Sequence, residues 1–443
     1  MAWLPLQAHQ AEGKLGPIAV RLMHGIWLPH LMAEKPAGWP AYYTVVLLLC
    51  AATFISYIDR TNISVGAVAM KAQFGWSETQ KGLVLSSFFA GYIVLMAASA
   101  TLAARFGGKL VLGVAVIWWS LFTALTPPAA LLSLSALVCA RVGLGLGEAA
   151  VFPASIHLIG RWVPALSRSR AVALVTSTLY LGTVFSLPMT GWMVHSYGWP
   201  LPFYVFGAVG LLWAVFWFAG VRDDSATEAH SAAAHASIPW RALARVPAVW
   251  AIVMAHFCNN WALYVLGAWL PSYFKSTFNV SIENAGLLSA APWLTTFLMA
   301  NVAGSWADYL LRSGRSATFV RKMMQTLSLG GTAACLVLLP GAGSVLSATV
   351  LTCCATGSLA FGLAGYAPNS FDIAPQYAAA IWGISNTFAT LPGIVGVFVT
   401  GWLVDRTGNF SAPFFLMAGV AVVGAGFYLV FASGKPQLDR ADA

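Results

Sequence analysis

Long apolar stretches alternate with short polar segments along most of this chain. Twelve of the stretches are about 20 residues long, which is the length that a helix needs to cross a bilayer. They cover residues 41–70, 82–104, 109–130, 133–160, 170–194, 201–220, 247–274, 284–308, 319–340, 344–368, 377–404 and 412–433. None shows the ten-residue alternating pattern of a membrane barrel strand. The pattern therefore predicts an all-α membrane protein with twelve transmembrane helices.

One polar segment is longer than the others and divides the pattern in two. It contains "RDDSATEAHSAAAHAS", which is small, polar and free of aromatic residues, as is typical of a linker. The fifth and eleventh stretches end alike, in "GWMV" and "GWLV", so we expect two parallel repeats with a substrate site between them. The predicted parts are a cytoplasmic N-terminal segment, a first six-helix half, a cytoplasmic linker, a second six-helix half and a cytoplasmic tail, at 1–40, 41–220, 221–246, 247–434 and 435–443.

Composition and charge agree with a membrane protein. Only 8% of the residues are charged and the mean hydropathy is +0.76, whereas a soluble domain has about 25% charged residues. If the N-terminus is cytoplasmic, 17 of the 23 lysines and arginines lie in cytoplasmic segments. This asymmetry predicts that both termini are cytoplasmic. The net charge of +9 is spread over many short loops, so no nucleic-acid partner is expected.

Four ionisable residues lie well inside the apolar stretches. The first stretch contains Asp59 and Arg60, and the fourth contains Arg141 and Glu148. A charge in the membrane interior costs roughly 2.5–3.5 kcal/mol on the insertion scale, so such residues are functional by default. Neighbours on a helix point about 100° apart, so Asp59 and Arg60 cannot simply pair with each other. We predict a substrate and proton site here, with a purely structural charge cluster as the alternative.

Other chemistry is not indicated. The glycines of "RVGLGLGE" follow no strand and precede no P-loop lysine, so they favour helix packing over nucleotide binding. His157, His195 and His256 lie on different stretches or near their ends, and we expect packed or interfacial histidines. The six cysteines lie within the stretches without metal-ligand spacing. The protein is therefore not expected to be an enzyme or to bind a metal or cofactor.

A series of motifs resembles a known family. The strings "YIDRTNIS", "LSSFFAGY", "RVGLGLGEAAVFPA", "RWVPALSRSRA", "YGWPLPFYVFG", "HFCNNW" and "NSFDIAPQYAAAIWGISNTFATLPG" resemble the anion–cation symporter family of the major facilitator superfamily. The resemblance runs from about Tyr43 to Phe431. It implies the major facilitator fold and a relationship to bacterial sugar-acid and aromatic-acid importers, vesicular glutamate and sialic acid transporters, and plastid phosphate-type carriers.

The resemblance also implies roles for individual residues. Arg60 and Arg141 match the arginines that bind the anion or prepare its site. Asp59 and Glu148 match the carboxylates that take up protons in the bacterial symporters. Four further positions match polar residues that line the substrate cavity: Tyr57, Tyr92, Ser385 and Asn386.

Two features of the sequence differ from the motifs of related proteins in this family. The vesicular glutamate carriers have a histidine at Leu85 and an arginine near Asn259, so the chain is not expected to carry glutamate. The loop between the second and third stretches has Ala104 where the family has an aspartate, whereas the second half keeps Asp308.

The charges suggest a mechanism. The two carboxylates balance the two arginines, so an entering monoanion leaves the site at −1 unless a proton accompanies it. We therefore predict proton-coupled symport of a small organic anion, such as a sugar acid or an aromatic acid, by alternating access. The alternatives are a potential-driven uniporter or exchanger of an anion such as phosphate and, less expected, a non-transporting membrane sensor. The expected setting is a bacterial inner membrane, with the protein as a monomer in the lipid bilayer.

Overall fold

The computed structural model describes residues 41–221 and 239–438. Within these residues, twelve helical segments are long and apolar enough to cross a membrane. Each coincides with one of the twelve predicted stretches, so the prediction of an all-α fold with twelve membrane spans is confirmed. The predicted N-terminal segment, most of the predicted linker and the last residues of the tail lie outside the described residues, and the predicted domain boundaries stay a prediction.

The described part contains fifteen α-helices. They are α1 (Ala41–Phe74), α2 (Glu78–Phe106), α3 (Gly108–Leu132), α4 (Leu134–Glu148), α5 (Val151–Trp162), α6 (Arg168–Tyr197), α7 (Pro200–Gly220), α8 (Trp240–Arg245), α9 (Pro247–Phe278), α10 (Ile282–Arg312), α11 (Ala317–Leu338), α12 (Val345–Leu359), α13 (Gly362–Ile373), α14 (Ala378–Thr407) and α15 (Ser411–Phe431). Short 3₁₀ turns occupy Ala165–Ser167, Leu339–Gly341 and Pro375–Tyr377.

Serine side chains begin several of these helices. Ser77 accepts a hydrogen bond from the backbone N–H of Gln80, and the Gln80 side chain accepts one from the Ser77 N–H, which forms a capping box. Single serine caps also start α4, α10 and α11. These caps satisfy backbone donors that the first turn of a helix leaves free, so they define where the connecting loops end.

Two of the membrane spans are interrupted. The fourth span consists of α4 and α5, which are separated at residues 149–150, and the tenth consists of α12 and α13, which are separated at 360–361. Glu148 is the last residue of α4. Broken helices inside a membrane are tolerated where they line a cavity or contact protein, and here the first break places a carboxylate at a helix end in the bundle interior.

Helices α6 and α10 touch at one end of the bundle. A Cβ added to Gly286 would lie 2.4 Å from the carbonyl oxygen of Leu187, and one added to Gly191 would lie 3.1 Å from Glu283. Glycine permits this close backbone approach. We call this end the closed end; its loops include residues 75–77, 198–199, 279–281 and 408–410. The distribution of basic residues predicts that it faces outward.

At the opposite end, α6 and α10 separate. A cavity of about 540 Å³ lies between them and is lined by residues that include Arg168, Thr176, Tyr180, Asn301 and Leu363. The structure therefore combines contact between α6 and α10 at the closed end with an opening at the other.

The start of α2 is fastened to α14 at the closed end. Asp405 accepts hydrogen bonds from the backbone N–H groups of Glu78 (2.8 Å) and Thr79 (2.7 Å), and from the Thr79 hydroxyl. A carboxylate here also interacts favourably with the N-terminal end of a helix dipole. Asp405 thus acts as an external cap of α2.

Lys81 adds a second connection at this end. Its ammonium group pairs with Glu78 at 2.5 Å, donates a hydrogen bond to Ser272 of α9 at 3.0 Å, and lies 4.6 Å from the centre of the Trp269 ring. Glu78 also pairs with Lys71 of α1. Lys81 is only 2% exposed, so removal of its partners would leave a buried charge uncompensated.

Candidate functional site

A cavity of about 280 Å³ lies among the helices of the bundle. Helices α1, α2, α4, α6, α9, α10, α13 and α14 contribute side chains to its wall. It shares Thr176, Tyr180 and Leu363 with the opening between α6 and α10. The cavity is therefore positioned for access from the end opposite the closed end.

Arg60 and Glu148 form an ion pair at this cavity. Nη2 of Arg60 is 3.1 Å from Oε2 of Glu148, and Nε donates to the same oxygen at 3.2 Å. Ser56 donates a third hydrogen bond to that oxygen at 3.0 Å. The Arg60 side chain is 13% exposed and that of Glu148 is fully buried, so only the arginine is accessible from the cavity.

Aromatic rings enclose the Arg60 guanidinium group. Its central carbon lies 4.7 Å from the ring centre of Tyr57, 4.6 Å from that of Phe88 and 4.9 Å from that of Tyr92. Cation–π contacts of this kind favour the charged group and restrict its position. Nη1 also donates a long hydrogen bond of 3.4 Å to the Tyr57 hydroxyl. The cage therefore presents a fixed, charged fork.

Arg141 lines the same cavity but lacks a direct partner. Its guanidinium group is 5.7 Å from the Phe88 ring centre, so both arginines contact one phenylalanine. Nε and Nη1 of Arg141 have no hydrogen-bond partner within the described residues, and the side chain is 1% exposed. A buried arginine with free donors is a strong candidate for binding an oxyanion.

Asp59 is close to the guanidinium group of Arg141 and is fully buried. Within the described part of the chain, its carboxylate oxygens make no hydrogen bond of normal geometry, although the indole N–H of Trp119 and the hydroxyl of Thr123 lie near them. Of the two arginines, Arg141 is the one that interacts electrostatically with Asp59, but the two side chains form no direct ion pair. The ion pair at this site joins Arg60 to Glu148.

The four further predicted residues lie in different places. Tyr57 lines the cavity, and Tyr92 lies behind it against Arg60. Ser385 is buried and bonded to His256. Asn386 donates to the sulfur of Met96 at 3.1 Å, across the α2–α14 contact. Tyr57 and Tyr92 thus join the arginine site, whereas the two α14 residues do not contact the arginines.

The wall formed by α9 contains polar residues that the sequence analysis did not assign to the substrate site. His256, Asn260 and Tyr264 all line the cavity. The string "HFCNNW" contains the first two of these residues, whereas Tyr264 lies three residues beyond it. The cavity therefore has a cationic side, formed by Arg60 and Arg141, and an uncharged polar side on α9.

This arrangement is suited to binding and not to covalent chemistry. The arginines supply oriented N–H donors to the cavity, whereas the Ser385 hydroxyl that contacts His256 is fully buried and is not part of the cavity wall. No group of three or more histidine, cysteine or acidic side chains in the described residues is placed to hold a metal ion.

Comparison with known proteins agrees with this geometry. The family model described as Major Facilitator Superfamily matches residues 49–397. The sodium-dependent phosphate transport protein 1 of Arabidopsis thaliana chloroplasts is 37% identical, with 92% of this chain and 81% of that protein aligned. The chloroplastic ascorbate transporter of the same plant is 36% identical, over 92% and 77%. The probable anion transporter 4 of Oryza sativa subsp. japonica chloroplasts is 36% identical, over 90% and 70%.

Solved structures share the fold. A bacterial homologue of the lysosomal transporter Spinster, in an inward-facing and unoccupied conformation, superposes with a TM-score of 0.77 at 19% identity, over 89% of this chain and 97% of that one. A D-xylose–proton symporter gives a TM-score of 0.73 at 16% identity, over 89% and 99%. These likenesses confirm the predicted major facilitator fold.

The relatives bear on two further predictions. They are transporters of anions and not enzymes, in agreement with the expectation for this chain. Their names place them in chloroplasts, which conflicts with the predicted bacterial inner membrane; the integral, multi-pass character is confirmed.

Proposed function

The chain belongs to the Major Facilitator Superfamily, and from that premise we propose that it carries a small anion through the Arg60–Arg141 cavity by alternating access. The observation that carries the proposal is the pair of guanidinium groups on one Phe88 ring, one of them with free donors. A carboxylate or phosphate oxygen can accept from both groups at once.

Anion uniport or anion exchange is the mode that the relatives favour. Their names include phosphate, ascorbate and general anion transport, and one of them names sodium, whereas none names protons. With Asp59 and Glu148 ionised, the four site charges cancel, so a bound monoanion gives the cavity a net charge of −1. Movement of that charge across the membrane is driven by about 2.3 kcal/mol per 100 mV. Exchange of one anion for another of equal charge needs no potential.

Proton-coupled symport is the second candidate, and Asp59 favours it. A buried carboxylate without a hydrogen bond is costly as a charged group, and a proton on it would restore neutrality when a monoanion binds. In this mechanism, Asp59 and Glu148 are the proton-coupling residues and Arg60 and Arg141 hold the anion. The monomeric state is likewise a proposal, supported by a cavity built within one chain.

Reconstituted vesicles distinguish the modes. Purified protein in liposomes is given labelled phosphate or labelled ascorbate under three conditions: a positive-inside potassium diffusion potential at equal pH, an acid-outside gradient at zero potential, and preloading with unlabelled anion. Uniport predicts accumulation under the first condition, at about tenfold for roughly 60 mV. Exchange predicts uptake only with preloading, and symport predicts accumulation with the pH gradient.

Each condition is run with sodium and with choline, since one relative is named as sodium-dependent. Arg60→Ala is the control variant. Uptake of neither probe under any condition, or uptake that persists in Arg60→Ala, would contradict the proposed function.

A further inference from the structure

The α9 side of the cavity has a defined hydrogen-bonding character. His256 and Asn260 both line the cavity and are 4% and 6% exposed. They are four residues apart on α9, so they share one face and are separated by about 6 Å along the helix axis. Because both side chains are nearly enclosed, their protein partners determine which atoms remain for a ligand.

The protein holds His256 in one tautomer. Nδ1 lies 3.2 Å from Oγ of Ser385, and the Ser385 hydroxyl donates its only proton to the carbonyl oxygen of Trp382 at 3.0 Å. We assign the serine proton to this carbonyl oxygen, which can only accept, and on that assignment the serine oxygen accepts from Nδ1–H. No acidic side chain pairs with the ring within the described residues, and an unpaired buried charge is costly, so the ring is neutral. Its Nε2 then carries a lone pair and no proton.

Aromatic packing holds the ring in place. The His256 ring stacks on Tyr366 at 4.6 Å and on Trp382 at 5.1 Å, with interplanar angles of 24° and 30°. Tyr366 and Trp382 are themselves stacked, with ring centres 6.3 Å apart, so they pack against the imidazole from neighbouring directions and fix its orientation. Nε2 makes no hydrogen bond to a described residue and is not fully enclosed by protein atoms, so it is available to a ligand.

Asn260 offers a second acceptor by the same reasoning. Its amide nitrogen donates to the carbonyl oxygen of Ala389 at 3.1 Å and to the Tyr264 hydroxyl at 3.2 Å. A carbonyl oxygen can only accept, which identifies the side-chain atom beside it as nitrogen. Both amide protons are used, so the free atom is Oδ1, an acceptor. Like Nε2 of His256, this oxygen is not fully enclosed by protein atoms.

We propose that His256 and Asn260 form a second binding subsite, which accepts hydrogen bonds from hydroxyl groups of the transported anion. This inference rests on the proposed function, because Arg60 and Arg141 hold the anionic group. The α9 subsite then selects organic anions whose hydroxyls lie several ångströms from the charged group. An anion without them leaves two buried acceptors unpaired, which lowers affinity by roughly tenfold per acceptor.

The size of the cavity supports an organic cargo. Its volume of about 280 Å³ is many times the ~30 Å³ that one water molecule occupies in the liquid. Inorganic phosphate, a lone tetrahedral group, would leave most of this space unfilled.

Matched acids test the subsite. Binding to the purified full-length protein is measured by calorimetry for quinate and cyclohexanecarboxylate, which share a ring and a carboxylate and differ in hydroxyls, and for gluconate and hexanoate. In the wild type, we expect at least one hydroxylated acid to bind tenfold or more tighter than its partner. His256→Phe keeps a flat ring and removes Nε2, and Asn260→Leu removes Oδ1. Each should lower the affinity for that hydroxylated acid about tenfold and change the affinity for its partner less than about twofold.

Leu263→Ala is the matched control, because Leu263 lines the cavity from the same helix and has no acceptor; it should affect both acids of a pair equally. Absence of a hydroxyl preference in the wild type, or equal losses for both acids in His256→Phe and Asn260→Leu, overturns the inference. Failure of the proposed function is distinct: no acid and no inorganic phosphate would then bind in an Arg60-dependent way.

Discussion

Replacement of Asp405 by asparagine should loosen the closed end. Asp405 gives one oxygen to the Glu78 N–H and the other to the Thr79 N–H and hydroxyl. Asparagine retains one acceptor oxygen and loses the second, together with the charge that favours the start of α2. Helix caps and helix-dipole interactions of this kind are each worth about 1 kcal/mol, so the expected loss is about 1–2 kcal/mol.

The loss acts on the equilibrium between the two access states. The contact between α2 and α14 belongs to the state with the closed end shut, so its weakening favours opening there. A change of about 1–2 kcal/mol alters the ratio of the states by about fivefold to thirtyfold. A ligand-free protein should therefore expose its cavity through the closed end more often.

Cysteine labelling of whole cells measures this exposure. Ala268 lines the cavity on α9, and Ala268→Cys in a background without the six native cysteines can be labelled by a membrane-impermeant thiol reagent. We expect Asp405→Asn to raise the labelling rate by the factor given above. Asp308→Asn is the control, because Asp308 is exposed and has no hydrogen bond or ion pair to a described residue. An unchanged rate in Asp405→Asn, or an equal rise in Asp308→Asn, refutes the argument.

Three further predictions concern the arginine site and the orientation. Arg60→Lys keeps the charge but loses the fork held by Glu148 and by the aromatic cage, so anion affinity measured by calorimetry should fall at least tenfold while the melting temperature stays near wild type; wild-type affinity would remove Arg60 from the site. Glu148→Gln makes the cavity more positive by one charge and gives Arg60 a weaker partner, so affinity for the same anion should rise severalfold if Glu148 competes with the anion for Arg60; a fall in affinity would contradict such competition. Impermeant reagents added to intact cells should label Ser281→Cys and not Ser231→Cys, and the reverse pattern would invert the orientation inferred from the basic residues.

Much of the fold was accessible from the sequence because membrane spans are defined by local length and hydropathy. The interruptions within spans could not be predicted in this way. Residues 133–160 have the hydropathy of a single span, whereas the structure interrupts the helix after Glu148. Nothing in a hydropathy pattern distinguishes a continuous apolar helix from two helices joined inside the protein. The break depends on what surrounds the backbone there, which is a property of the packed bundle.

For the candidate site, too, the sequence predicted one part and not another. Costly charges identified the residue types, so Arg60, Arg141, Asp59 and Glu148 could be selected one by one. Their pairing could not be predicted, because which arginine meets which carboxylate depends on the rotation and depth of α1 relative to α4.

His256 was expected to be a packed or interfacial histidine, and its ring is indeed buried and stacked on aromatic rings from α13 and α14. The role that we propose for it as an acceptor depends in addition on Ser385, which is 129 positions away in the sequence. Side-chain protonation patterns of this kind are tertiary properties that local sequence does not encode.

The ion pair between Arg60 and Glu148 means that, without cargo, the guanidinium group of Arg60 is already bound to a carboxylate of the protein itself. In the function that we propose, a cargo anion competes for Arg60 with this carboxylate, which is tethered to the same protein, so its apparent affinity is reduced by the fraction of molecules in which Arg60 is free. If the pair is worth about 1.4 kcal/mol, that reduction is about tenfold. The same tether lets Glu148 reoccupy Arg60 as soon as the cargo departs, without waiting for diffusion. A carrier built in this way trades tight binding for rapid release, which is the compromise expected where the cargo is abundant and throughput limits supply.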